Sequence, residues 1–226
     1  MENINTKTEL LIGKENVEIL KSKKVIVFGL GGVGSYVVEA LARSSIENLT
    51  LVDKDIVVES NINRQLYALN STLKKSKAEI AKNRVLDINP NCEVRGYVEL
   101  VDESNVNTFF DQDYDYIVDA IDDTKAKLEL IKYANRNDIA IISSMGTANK
   151  LDTTKLQITD INKTSVCPLA KTMRKKVRDE GIKKLDVIYS TEMPLVRNPQ
   201  PCAMVFVPAC AGIMIANYIV RKMLNI

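Results

Sequence analysis

The sequence predicts an α/β fold: a doubly wound, mostly parallel sheet with a strand–helix extension at its C-terminal side. Three observations carry this prediction. Short apolar runs recur through the first 146 of 226 residues, with stretches of helical periodicity between them. Strand, helix and strand in that order pair in parallel, because a parallel neighbour needs a crossover. The first run ends in a glycine-rich turn, "GLGGVGS", residues 29–35, before a helical pattern begins. Asp53, the segment Asp119 to Asp123 and the segment Ser143 to Gly146 each close an apolar run. In such sheets ligands sit beyond the carboxyl ends of the strands, so these positions are candidates for one crevice.

The elements follow in order. Residues 24–28 read as a buried strand. Residues 33–43 read as a helix with Val33, Val37, Ala40 and Leu41 on one side. A second strand spans 48–52 and a second helix 73–88. "NCEVRGYV" is a third strand and "YDYIVDA", 114–120, a fourth. A helix over 124–136 leads to a fifth strand, 139–144. Beyond residue 147 the rhythm changes: "KLQITDI" and "LDVIYSTEM" read as strands around a basic helix, 166–180. The apolar run 202–220 is interrupted by Pro208 and Asn217, so it reads as a strand entering a buried last helix rather than a membrane span. The whole is Rossmann-like. No linker divides it, so it reads as one domain over 1–226, with a nucleotide-binding half, 1–146, and a substrate-side extension, 147–226.

Composition removes several chemistries. There is no histidine, which excludes Ser–His and Cys–His nucleophiles and histidine metal ligands. Cys92, Cys167, Cys202 and Cys210 include no CxxC pair, which argues against structural zinc. Widely spaced thiols and a polar start, "MENINTKTEL", predict a cytoplasmic chain without a signal peptide. A net charge of +2 does not by itself imply nucleic-acid binding.

The glycine turn predicts phosphate binding. Gly29, Gly31, Gly32 and Gly34 let the backbone approach a phosphate, which the N–H groups of a helix start then meet. Asp53 lies nineteen residues past Gly34, where an acid accepts from ribose hydroxyls. These features fit NAD and ATP equally. The next segment, "DKDIVVESNINRQLY", tips the reading to ATP. Arg64 and Lys77 return to the mouth of the sheet, where cations stabilise charge on departing pyrophosphate. Asp122 is placed to take the magnesium that accompanies ATP.

These residues resemble the ubiquitin-activating-like adenylating superfamily, which includes the ThiF, MoeB and HesA proteins. "GLGGVGS" is similar to its nucleotide turn and "DKDIVVESNINRQ" to its signature segment. "KKSKAEIAKNRVLDINP" resembles its lysine-bearing helix and "DAIDD" its magnesium segment. The resemblance implies ATP contacts from the turn glycines, Asp53, Asp55, Asn61, Arg64, Gln65 and Lys77, and magnesium at Asp122. It implies a homodimer in which Lys7 reaches the partner subunit's ATP site. The second half, "ISSMGTANKLDTTKLQITDINKTSVCPLAKTMRKKVR" with "VIYSTEMP", resembles the tRNA threonylcarbamoyladenosine dehydratase branch. That implies activation of the threonyl carboxylate as an acyl-adenylate, followed by ring closure within the modification. Such an intramolecular step needs no enzyme nucleophile. One departure stands out: the crossing segment is shortened to about "MPLVRNPQP", with Cys202 at its end.

Adenylation of a sulfur carrier's C-terminal glycine, an NAD-dependent oxidoreductase and a non-catalytic module remain rival readings, and a sulfur-transfer partner stays open. In "KTMRKKVRDEGIKK" helical spacing aligns Lys171, Arg174, Lys175 and Arg178, a row suited to an RNA backbone or to plain solvent. Cys167 opens that helix as a packing or reactive thiol, and Cys210 reads as core.

Overall fold

The computed structural model describes residues 3–196 and 201–226. Residues 197–200, part of the shortened crossing segment, lie outside the described residues. The chain starts with two helices, α1 (Thr6–Ile12) and α2 (Lys14–Ser22), separated by Gly13 at φ 85°. Sequence reading missed both. α1 buries no residue and α2 only Val17 and Leu20, so neither shows a strong apolar stripe.

The βα alternation then proceeds as read. β1 (Lys24–Phe28), α3 (Gly34–Arg43) and β2 (Asn48–Val52) come first, then α4 (Lys77–Ile88) and β3 (Glu93–Tyr97). β4 (Tyr116–Asp119), α5 (Thr124–Arg136) and β5 (Ala140–Ser144) follow. The second half contributes β6 (Leu156–Asp160), α6 (Pro168–Asp179), β7 (Asp186–Ser190) and α7 (Phe206–Leu224). The seven strands form one sheet, ordered β3-β2-β1-β4-β5-β7-β6. Every pair is parallel except β6 with β7.

Alternation along β1 builds a core on each face. Val25 and Val27 face α3, α4 and α7, and Ile26 and Phe28 face α5 with Phe109. A third cluster packs α6, through Met173 and Val177, against Val187 and Tyr189 of β7. β2 lies on one side of β1 and β4 on the other, so the chain reverses its winding at β1. The crevice opens beyond β1 and β4, where such a reversal places a ligand.

Two expectations need correction. The helix expected from residue 73 starts at Lys77: Lys74 takes φ 65°, and the Ser76 side chain caps the helix by accepting from Glu79 N–H. The strand expected before the last helix is absent. Met204 and Phe206 are about half exposed, and α7 begins at Phe206. Pro208 falls in the first turn, where its missing N–H breaks no helical bond, so it starts a helix rather than interrupting one. α7 is long and apolar enough to cross a membrane by length and composition. Its Val207, Ala211, Ile215 and Ile219 are instead buried in the core.

Candidate active site

Two of the glycines shape the turn for opposite reasons. Gly29 takes φ 87°, and a Cβ there would lie 2.7 Å from Ala120 O. Gly34 is where α3 meets the strand, and a Cβ there would overlap Gly29 O. Gly34 therefore lets the helix pack and does not line the cavity, contrary to the expected ATP contact. Gly31 and Gly32 do line it. Asp53 spans the turn: one carboxylate oxygen accepts from Leu30 N–H at 2.6 Å and the other from Asp55 N–H at 2.8 Å.

Beyond the strand ends lies an open cavity of about 650 Å³, within the range of small-molecule sites. The loop from β2 to α4 folds back to form one wall, pinned by Lys77 N–H donating to Asp55 O at 3.0 Å. This loop brings Asn61, Arg64, Gln65 and Lys77 to the cavity with Gly29 and Asp53. Asn61, Gln65 and Lys77 are buried. The Lys77 ammonium is paired with Asp55 at 3.0 Å. The Arg64 guanidinium is held through Nη1, which donates to Ser60 O at 2.7 Å and to Asn63 Oδ1 at 2.8 Å. Residues far apart in sequence thus line one cavity.

The three aspartates of 119–123 separate by environment. Asp119 is fully buried and pairs with Lys127, itself fully buried, at 2.9 Å. It also accepts from the Ser143 hydroxyl and from Ile121 N–H. Lys127 further donates to Ile121 O at 2.9 Å, which fixes the loop after β4. Asp123 caps α5, accepting from Lys125 and Ala126 N–H at 2.8 Å. The Ala126 N–H, and after it the Lys125 N–H, hold the Asp123 carboxyl below its ordinary value. Of the three, Asp122 alone lies on the cavity wall, exposed and committed to no helix cap or ion pair among the described residues. Among the described residues no cluster of three acids or thiols makes a self-sufficient metal site. One carboxylate suits magnesium, which completes its shell with substrate phosphates and water.

Of the other expected residues, Cys167 lines the cavity and the rest lie apart from it. Lys7 is exposed on α1. Lys171, Lys175 and Arg178 are exposed on α6. Arg174 turns inward and donates to Thr164 O at 2.6 Å and Thr164 Oγ1 at 2.8 Å, so it braces the turn before α6 and drops out of the open row. Cys167 is buried and caps α6, with its sulfur accepting from Ala170 N–H. Cys210 is half-buried against the core. Sequence reasoning missed two buried lysines, Lys127 behind the site and Lys150 on its far wall. Nothing in their local sequence distinguishes them from surface cations.

Known proteins match this arrangement. The chain matches the ThiF family over residues 5–226. It is 43% identical to the tRNA threonylcarbamoyladenosine dehydratase of Bacillus subtilis, over 97% of this chain and 94% of that protein. It is 37% identical to the Escherichia coli protein of the same name, over 82% of this chain and 72% of the relative. The crystal structure of the E. coli dehydratase, TcdA, in complex with ATP superposes with a TM-score of 0.92 at 34% identity, covering 97% of this chain and 93% of that one. Motifs, sheet order and these likenesses agree: the chain belongs to the ThiF family.

Proposed function

We propose that this protein is an ATP-dependent tRNA threonylcarbamoyladenosine dehydratase. The observation that carries the reading is the meeting of the glycine turn, Arg64, Lys77 and Asp122 on one cavity. It is reinforced by the near full-length likeness to dehydratases and by a relative's structure holding ATP.

Each residue then has a task. The Gly31–Gly32 backbone, at the turn before α3, receives phosphate. Asp53 takes the ribose hydroxyls. Asn61 and Gln65 add polar contacts, while Arg64 and Lys77 balance the charge that grows on departing pyrophosphate. Asp55 holds Lys77 in place. Asp122 is the group fitted to hold magnesium, whose bound charge would neutralise phosphate oxygens. A substrate carboxylate oxygen forms the bond to the α-phosphate as the bond to pyrophosphate breaks. The carbamoyl group on the same substrate then closes on the activated carbonyl, one proton leaves, and AMP departs. The net change is loss of water from the modification. No residue of this chain need form a covalent bond, consistent with a site that has no histidine.

Lys7 shares α1 with Leu10 and Leu11, whose exposures of 78% and 83% suit a subunit contact. The accompanying proposal is a homodimer in which α1 lies between subunits. Lys171, Lys175 and Arg178 are proposed to follow the tRNA backbone.

The test uses ATP, magnesium and tRNA bearing threonylcarbamoyladenosine, followed by digestion and mass measurement of the nucleosides. ATP-dependent loss of one water's mass is expected. No mass change, with pyrophosphate exchange driven instead by a sulfur-carrier protein, would overturn the reading.

A further inference from the structure

The cavity has a second end beyond the nucleotide-facing residues. It is walled by residues 144–150, at the end of β5 and just after it, and by the first turn of α6. The acids on the cavity wall, Asp53, Asp55, Glu99 and Asp122, all come from loops after β2, β3 and β4. Among the described residues the far end has no acid and one charged side chain, Lys150.

Lys150 is only 6% exposed. Its ammonium donates to Ser190 O, at the end of β7, at 2.8 Å. Lysine has three N–H donors, so a single carbonyl leaves two directions open. Glu192 acts on Lys150 electrostatically, but its carboxylate is turned to the backbone N–H groups of Leu151 and Asp152 at 3.0 and 2.9 Å. Burial pulls the Lys150 amine below its ordinary value, an effect that Cys167 and Glu192 oppose. Burying an ammonium is costly, and the nearest acid acting on it, Glu192, spends its hydrogen bonds on backbone N–H groups rather than on the ammonium. A ligand that brings an anion removes the penalty.

A second observation points to the same ligand. The twelve-residue helix α6 aims its N-terminus at this end: Cys167, Pro168 and Leu169 line it, and its first turn holds no acid. A helix start favours an anion. The residue before the cap, Val166, takes φ 61°, a conformation that β-branched residues rarely adopt. Such strain persists where surroundings over-determine a loop, commonly at a binding site.

We infer that Lys150 and the first turn of α6 form the carboxylate subsite, which holds the acid group of the substrate beside the nucleotide before adenylation. The inference rests on the dehydratase reading and adds the residues that recognise the acid. Lys150 binds and orients the carboxylate, and Arg64 and Lys77 remain with the phosphates.

The test compares two tRNAs that differ only in the threonylcarbamoyl group, binding to wild type and to Lys150→Gln. Glutamine keeps a donor for Ser190 O and removes the charge. Wild type should bind the modified tRNA about tenfold more tightly, the scale of one charge-assisted hydrogen bond. In Lys150→Gln the preference should fall to within about twofold, with ATP affinity and affinity for unmodified tRNA unchanged. Retained preference overturns the inference. So does a parallel loss of ATP and unmodified-tRNA affinity, the mark of a residue that only supports the fold. If Lys150→Gln does not fold, Lys150→Arg decides: keeping the preference supports a role for the charge, and losing it contradicts one. A wild type that neither prefers nor dehydrates modified tRNA removes the dehydratase reading itself. A wild type that does both, beside a Lys150→Gln that keeps its preference, removes this inference alone.

Discussion

Asp119, Asp122 and Asp123 stand within five residues, yet packing gives each a separate role. The buried Asp119–Lys127 pair is the most vulnerable. Lys127→Met should cost about 3–5 kcal/mol in urea unfolding, because it strands a buried carboxylate. The double variant Asp119→Asn/Lys127→Met should recover much of that loss. If the single and double variants are equally unstable, the pair is not the source of the cost. Asp123→Ala should cost about 1 kcal/mol at neutral pH through loss of the α5 cap. The folded carboxyl titrates below its ordinary value, so its contribution is full above the unfolded value, near pH 4. It fades as pH falls through the lower folded value, and the gap between wild type and Asp123→Ala should close there. A gap that holds under acid would contradict the cap. Asp122→Ala and Arg64→Ala should instead leave the melting temperature in place and lower turnover by about a hundredfold or more. Full activity in either would remove that residue from the site.

At the scale of elements, the parallel strands were legible because strands buried on both faces read as unbroken apolar runs, as in "VIVF" and "YIVD". The glycine turn, Arg64, Lys77 and Asp122 were legible because their chemistry dictates residue type at fixed places along the βα units. The misses have physical causes. α1 and α2 bury too little to show a period. The start of α7 was misread because a proline in a first helical turn looks like a break. Lys127 and Lys150 were invisible because burial of a lysine is set by tertiary neighbours. Gly34 was assigned to the ligand, but its small size serves the approach of α3 to Gly29. Gly34→Ala should therefore act through packing, costing about 1–3 kcal/mol as overpacked sites do, and weaken ATP binding by displacing the helix. Unchanged stability with lost ATP binding would return Gly34 to the ligand.

At the scale of the molecule, the proposed function calls for a surface for RNA beside the nucleotide crevice, and the proposed dimer for a second copy. Replacing Lys171, Lys175 and Arg178 with alanine should weaken modified and unmodified tRNA alike. It should also flatten the slope of log K against log salt by up to ~3. An unchanged slope would place the RNA elsewhere. Leu10→Glu/Leu11→Glu should shift the protein from dimer to monomer in sedimentation, and a dimer that survives would exclude α1 from the interface. Above these stands the claim that the cavity makes a carboxylate reactive by joining it to AMP. The direct measurement uses tRNA whose threonyl carboxylate carries oxygen-18, followed by mass analysis of the nucleotide products. Adenylation predicts one oxygen-18 in the phosphate of AMP for each ring closed. Label in inorganic phosphate beside ADP, or in water alone, would contradict it.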